Sequence, residues 1–269
     1  MSDNPHSISL NAIVAAARSR VTALRVTATE LEKLAAAGPA VRPFPGKPEA
    51  TVGLIAEVKR RSPSQGAIRT VLDPIAHARA YVRGGAVAIS VLTEEEHFGG
   101  SLDDLSRVAA AVSVPVLRKD FILDELQIME ARAAGASAVL LIVRILAREQ
   151  LFALAKAART WGLGTLVEVH AEEELDTALA AKPTALGVNA RDLSTFAIDM
   201  RAAERIIRRI PRDATVVAES GVERRDDVER FAAVGADLVL VGTSVARQED
   251  PEDAVRALVG VRRQTGVRT

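Results

Sequence analysis

GAVAISVLTEEEHF, residues 85–98, contains one structural unit in miniature. Gly85-Ala86 closes a segment with helical spacing. Val87–Leu92 is an apolar run of strand length. Thr93 to Phe98 is a polar exit with three glutamates and a histidine. The same opening returns at Gly135-Ala136 and Gly235-Ala236, each leading straight into an apolar run. Successive copies stand 50 and then 100 residues apart, the length of two and four βα units.

Eight apolar runs follow residue 50: Val52–Val58, Val87–Leu92, Val114–Leu117, Ala138–Val143, Thr165–Val169, Ala185–Val188, Thr215–Ala218 and Asp237–Val241. They are nearly continuous in apolar residues rather than alternating, as strands covered on both faces should be. Helical patterns separate them. Ser101 to Asp104 resembles a capping box, with Asp in place of Glu or Gln, and Leu102, Leu105, Val108, Ala109 and Val112 follow on one face. Asp250-Pro251 sets an N-cap and first turn for a last helix carrying Val255, Leu258, Val259 and Arg262. Eight strands alternating with helices predict an α/β fold, a (β/α)8 TIM barrel. The main rival is a doubly wound open sheet, but no G-x-G-x-x-G follows the first strand.

Residues 1–50 precede the barrel. Leu10, Ile13, Val14, Ala17, Val21 and Leu24 form a helical stripe, and Pro39, Pro43, Pro45 and Pro48 form an extended connector. An apolar helical face must be buried, most simply against the barrel, so this segment reads as a cap. The expectation is one domain over residues 1–269, with 1–50 as helical extension and connector and 51–269 as barrel.

Composition narrows the function. The 269 residues carry 35 basic and 35 acidic side chains, a balance with no electrostatic footprint for nucleic acid or an anionic membrane. Cysteine is absent, which excludes disulfides, thiolate metal sites and a cysteine nucleophile. No apolar run approaches the roughly 20 residues needed to span a bilayer. The first residues do not read as a signal peptide, so a cytoplasmic location is expected. Only six of the basic residues are lysines: Lys33, Lys47, Lys59, Lys119, Lys156 and Lys182. Where arginine serves for generic charge, a retained lysine can reflect a need to lose a proton, which arginine cannot do. Survival on a solvated face explains most of the six equally well.

In such a barrel the active site lies at the carboxyl ends of the strands. Glu57 and Lys59 leave the first strand, Lys119 the third, Glu168 and His170 the fifth, Asn189 the sixth and Glu219 the seventh. Glu57 and Lys59 are two apart and therefore point the same way, so each can adjust the other's pKa. The plain alternative for that pair is a structural ion pair at the rim. Five ionisable groups (Glu57, Lys59, Lys119, Glu168 and Glu219) on one rim are hard to explain as surface solubility. The small residues Ser220-Gly221 and Gly242-Thr243-Ser244 follow the last two strands, where loops often bind phosphate through backbone N–H groups. Ser62 and Ser64 after the first strand offer further hydroxyls. Small residues in tight turns are also ordinary turn chemistry. His6, His77, His97 and His170 have no partner at metal-ligand spacing, so no metal site is expected.

Seven segments, in order, resemble the indole-3-glycerol phosphate synthase family: Ile55–Ser64, Ala88–Thr93 with Phe98–Ser101, Val116–Ile122, Leu166–His170, Gly187–Leu193, Ala218–Gly221 and Val241-Gly242. The resemblance implies conversion of 1-(2-carboxyphenylamino)-1-deoxyribulose 5-phosphate to indole-3-glycerol phosphate by ring closure, decarboxylation and dehydration, without cofactor or metal. Lys119 matches a general acid toward the substrate carbonyl, and Glu168 and Glu57 match acid–base glutamates. Lys59 matches a lysine that binds the substrate carboxylate and serves as an acid in dehydration. Asn189, Glu219 and Ser220 match residues holding polar groups of the substrate. Ser62, Gly221, Gly242 and Thr243 fall at the phosphate cradle. Phe98, Phe121, Leu140 and Leu240 match apolar walls near the anthranilate ring, and Arg191 a supporting charge. A lysine among other cations would have its pKa lowered toward neutrality, which suits an acid.

The chain departs from the family pattern at Gln65, often Lys, at Ala190, often a second Asn, and at Thr243, often Ser or Glu. None of these removes an expected catalytic group. The expected partner is a small phosphorylated substrate, with neither nucleic acid nor membrane, and the expected state is a monomer or weak homodimer. Other phosphate-binding barrels are the alternatives. The phosphoribosylanthranilate isomerase family needs a Cys–Asp pair that is missing here. A Schiff-base aldolase would use Lys119 covalently. A retired barrel acting as a scaffold would have no reason to keep the five charged groups.

Overall fold

A computed structural model describes residues 9–62, 66–67 and 72–268. Eight parallel strands close into a barrel in chain order: β1 (Gly53–Val58), β2 (Ala88–Leu92), β3 (Val116–Lys119), β4 (Ala138–Ile142), β5 (Gly164–Val169), β6 (Ala185–Asn189), β7 (Val216–Glu219) and β8 (Leu238–Val241), with β8 pairing back onto β1. Each coincides with an expected apolar run to within two residues at either end. Their side chains are buried almost throughout, as a sheet covered inside and out requires.

The helices form the outer layer: α3 (Pro74–Gly84), α4 (Leu102–Ala111), α5 (Glu125–Ala133), α6 (Arg148–Thr160), α7 (Leu175–Ala180), α8 (Met200–Arg208), α9 (Arg225–Ala233), α10 (Thr243–Arg247) and α11 (Pro251–Arg256). The repeated Gly-Ala has a conformational cause. Gly85, Gly135 and Gly235 sit at φ 105, 84 and 96, the left-handed region that ends a helix before the chain turns into a strand.

The amino-terminal stripe forms α1 (Leu10–Leu24), with Ile13, Ala17 and Val21 buried. A second helix, α2 (Ala28–Ala36), follows after a short 3₁₀ turn and packs on α5. It was not anticipated, because its apolar positions are few and its N-cap, Thr27, turns its hydroxyl back to Leu24 O instead of capping the helix. Two capping expectations are modified. Ser101 Oγ accepts from Asp104 N at 3.0 Å, but the Asp104 carboxylate turns to Arg60 instead of completing a box. Asp250 caps α11 as expected, yet the helix stops at Arg256, so Leu258 and Val261 pack from the irregular segment beyond it. Among the described residues no helix is long and apolar enough to cross a membrane.

Candidate active site

Parallel strands in register bring their carboxyl ends to one level. Glu57 lies opposite Ser90, Leu92 opposite Lys119, Ile142 opposite Glu168, and Asn189 opposite Glu219. A cavity of about 360 Å³ opens there. Glu57 and Lys59 reach it from β1, Phe98 from the loop after β2, Lys119 and Phe121 from β3, and Leu140 from β4. Glu168 enters from β5, Asn189 and Arg191 from β6, and Glu219, Ser220 and Gly221 from β7. Leu240, Gly242 and Thr243 complete the wall at β8. The Ser62 hydroxyl and Gln65 lie outside the described residues.

Lys119 sits at the centre. Its Nζ is 3.3 Å from Glu168 Oε2 and 3.6 Å from Glu219 Oε2. Burial works against its charge, but Glu168, Glu219 and Glu57 outweigh burial and raise its pKa above the usual lysine range. This corrects the expectation of a lowered lysine. The neighbours that fold against Lys119 are carboxylates, not cations, so it is held as an ammonium with a proton to give. The two glutamates are driven apart. Burial pushes Glu168 up, but Lys119 and then His170 pull it well below the usual carboxylate range. Burial and the Glu168 charge together lift Glu219 well above it, against the pull of Lys119. Two carboxyls this close cannot both ionise freely, and Glu219 keeps the proton. Its buried oxygens make no hydrogen bond of good geometry to the described protein.

Glycines make room for these groups. A Cβ on Gly187 would stand 2.1 Å from Glu219 Oε1, and one on Gly242 would stand 2.6 Å from Glu57 Oε1. Glu57 Oε1 also lies 3.3 Å from Lys59 Nζ, which is 5.9 Å from the centroid of the Phe98 ring. Phe98 and Phe121 pack with centroids 6.1 Å apart, forming an aromatic wall beside the ammonium. Asn189 Oδ1 accepts from Arg191 N at 3.0 Å, so its amide NH₂ is left to face the cavity. Arg191 Nη1 donates to Phe196 O at 2.9 Å and ties down the loop after β6. That loop adds Leu193, Phe196 and Ile198 to the wall. Three apolar side chains within a polar loop were the available sequence signal.

Opposite the aromatic wall, Ser220 and Gly221 occupy the left-handed region at φ 66 and 80. Such strain in a non-glycine residue persists where the surroundings demand it. The turn bends the backbone after β7 beside the start of α10, whose N-cap is Gly242. Ser244 Oγ donates to Val222 O at 2.8 Å and holds these two loops together. Loops of this kind present N–H groups to an anion.

A buried brace behind the cavity was missed. Asp120, next to Lys119, has no solvent exposure in its side chain. It accepts from Arg20 Nη2 at 2.7 Å and Nη1 at 3.1 Å, from Arg118 Nη2 at 3.0 Å and from Thr93 Oγ1 at 2.6 Å. Arg20 belongs to α1, so the amino-terminal helix is anchored at the site itself. Two arginines bring Asp120 down to about 2 against the opposing effect of burial. The Arg118-Lys119-Asp120 triplet was visible, but its partner stands 100 residues away. Among the described residues no cluster of three His, Asp or Glu side chains could hold a metal ion.

Similarity to known proteins agrees with this geometry. The family model described as indole-3-glycerol phosphate synthase matches residues 10–258. A protein of that name from Nocardioides is 50% identical over 256 residues, covering 94% of this chain and 98% of its own. One from Mycobacterium avium is 46% identical over 253 residues, 93% of each chain. Solved barrels show the fold alone. Thiamine phosphate pyrophosphorylase from Pyrococcus furiosus has a TM-score of 0.58 at 17% identity, over 77% of this chain and 93% of that one. The 3-hexulose-6-phosphate synthase of Salmonella typhimurium has a TM-score of 0.60 at 16% identity, over 77% and 96%.

Proposed function

The chain belongs to the indole-3-glycerol phosphate synthase family and is a carboxy-lyase of that kind, and we propose how the groups at its barrel mouth divide the reaction. The substrate on this reading is 1-(2-carboxyphenylamino)-1-deoxyribulose 5-phosphate. One observation carries the assignment: a single ammonium, Lys119, is held within 3.6 Å of two carboxyls whose protonation is driven in opposite directions. That arrangement supplies an acid, a base and a neutral donor in one dry site.

The phosphate binds at the β7 and β8 loops, where Gly221, Gly242 and Thr243 offer backbone N–H groups and Ser62 adds a contact. The aromatic ring lies among Phe98, Phe121, Leu140 and Leu240. Lys59 meets the ring carboxylate, and Arg191 supports the local charge. Anchoring both ends presses the ring carbon toward the ketone, which is the main use of remote binding energy here.

Ring closure forms a bond between the carboxylate-bearing ring carbon and the ketone carbon. The electron pair displaced onto the carbonyl oxygen takes its proton from Lys119. Loss of CO₂ then breaks the carbon–carboxyl bond, and its electrons restore the aromatic ring. In dehydration the new hydroxyl leaves as water with a proton from Lys59, while a carboxylate, Glu168 or Glu57, removes the proton whose loss forms the indole double bond. Glu219, Ser220 and Asn189 hold the substrate's hydroxyls throughout, Glu219 as a neutral acid able to donate.

The balanced charge and the missing cysteines support the remaining elements of this reading: one cytoplasmic domain over residues 1–269, a monomer or weak homodimer, and no nucleic-acid partner. Turnover followed by indole fluorescence tests the assignment. Wild type forms product, and Lys119→Ala and Glu168→Ala each lose at least about 100-fold in kcat. Wild-type rates in both variants would refute it. Borohydride trapping of a ketose phosphate on Lys119 would favour an aldolase instead.

A further inference from the structure

His170 directly follows β5, two residues beyond Glu168, and only 2% of its side chain is exposed. The reading above gives it no task, and it does not line the cavity. Its ring lies between two carboxylates. Nε2 is 3.2 Å from Glu168 Oε1, a close polar contact that is not aligned as a hydrogen bond, and Nδ1 is 4.0 Å from Glu174 Oε2. Glu168 Oε2 is the atom that meets Lys119, so the two oxygens of this carboxylate face two different side chains. A buried imidazole beside one oxygen leaves the carboxyl group little rotational choice.

Glu174 is itself held in place. It accepts the His170 backbone N–H at 2.6 Å and the Arg144 Nε at 3.2 Å. Arg144, from the exit of β4, also donates to Asp192 in the loop after β6 at 2.9 Å. A chain of polar contacts, Asp192–Arg144–Glu174–His170–Glu168–Lys119, therefore crosses from three surface loops to the centre of the site.

We propose that His170 is the positioning residue for Glu168, holding Oε1 from behind so that Oε2 is presented to Lys119 and the substrate. The proposal rests on the assignment of Glu168 as a catalytic acid–base group. Its physical content is orientation. A carboxylate free to rotate in the cavity spends much of its time away from the proton it must take, and a misplacement of about 1 Å can cost about 100-fold in rate. The contact also favours the ionised form. Burial pushes the Glu168 pKa up, and Lys119 and His170 both oppose it. Without the imidazole, less opposes burial, and the carboxylate is lost at a higher pH than in wild type. The charged groups around His170 are Glu168 on the strand before it, Glu174 on the following turn, Arg144 behind Glu174 and Asp192 beyond it. Lys119 and Glu219 face the far side of Glu168.

The test uses the full-length enzyme and compares His170→Ala, His170→Gln and Glu168→Gln, with pH profiles of kcat and with KM. His170→Ala is expected to lower kcat by about tenfold to 100-fold with KM changed less than about threefold, and to move the acidic limb of the kcat profile to higher pH. His170→Gln restores most of kcat, because its amide N–H can meet Glu168 Oε1. His170→Phe fills the ring volume without a polar nitrogen and is expected to show the same loss of kcat and the same shifted limb in a folded barrel, which keeps the test valid if the alanine hole unfolds the protein. In a Glu168→Gln background, replacing His170 adds no further loss. An unmoved acidic limb in the alanine and phenylalanine variants, or a glutamine variant as slow as both, overturns the proposal while leaving Glu168 in its role. Wild-type turnover by Glu168→Gln would instead overturn the reading of Glu168 itself.

Discussion

Replacing Gly187 by alanine adds one methyl group at the floor of the site and leaves every ionisable residue of the sequence in place. The new Cβ would stand 2.1 Å from Glu219 Oε1 and 3.3 Å from both Glu219 Cδ and Leu166 Cδ1. That first distance is about 1.3 Å inside ordinary contact, so something must move. The backbone of β6 is held on both sides, by β5 through Glu168 opposite Gly187 and by β7 through Gly187 opposite Val217. The Glu219 carboxyl is the free end of a flexible side chain and yields first. Its shift disturbs the 3.6 Å contact with Lys119 and the sharing of one proton with Glu168. A displacement of that size is expected to lower kcat by about 100-fold, equivalent to about 2.7 kcal/mol of transition-state stabilisation. Stability should fall far less, by about 1 kcal/mol, because the crowded group is a side-chain tip rather than packed core. Indole fluorescence gives kcat, and urea unfolding followed by circular dichroism gives stability. A Gly187→Ala enzyme that turns over at the wild-type rate would refute the argument that this glycine exists to house the Glu219 carboxyl. So would a loss of activity fully explained by unfolding.

Three other substitutions probe different parts of the site. Asp120→Asn removes a charge buried between Arg118 and Arg20 and should cost about 3 kcal/mol at pH 7 by urea unfolding. Asp120 is depressed to about 2, so its stabilising effect is complete above the unfolded value of about 3.9 and fades as pH falls toward 2. On the order of 2 kcal/mol of the wild-type advantage should disappear across that window, and a difference independent of pH would refute the assignment. Ser220→Gly relieves a residue at φ 66 and should raise stability by up to about 1 kcal/mol while weakening substrate binding through the lost hydroxyl; calorimetry and KM test the two effects separately. Ser244→Ala cuts the hydroxyl tie to Val222 O, worth about 1 kcal/mol, so KM should rise about fivefold with kcat nearly unchanged. An unchanged KM would show that the two loops hold their shape without it.

The barrel was legible because its strands are buried on both faces. Burial leaves runs such as Leu54–Ala56 and Val139–Ile142 with no polar face, and a charged group at the end of such a run has nowhere to go but the mouth. Chain-local rules therefore located Glu57, Lys59, Lys119, Glu168 and Glu219, and Gly-Ala pairs marked where helices stop. The same rules overlooked α2, whose apolar stripe is short, and extended the last helix past Arg256, because spacing alone does not show that the chain leaves the helix there. Pairings across long stretches of chain were beyond them as well, since Arg20 meets Asp120 only after the amino-terminal helix docks. The sharpest difference concerns Lys119. The sequence places a lysine at the exit of β3, but its protonation depends on which charges surround it. Barrel closure brings Glu168 and Glu219 to within 3.6 Å. Local order along the chain thus determined which residues stand at the rim, and tertiary structure alone decided which of them holds a proton, because electrostatic energy depends on distances and burial that exist only after the ring has closed.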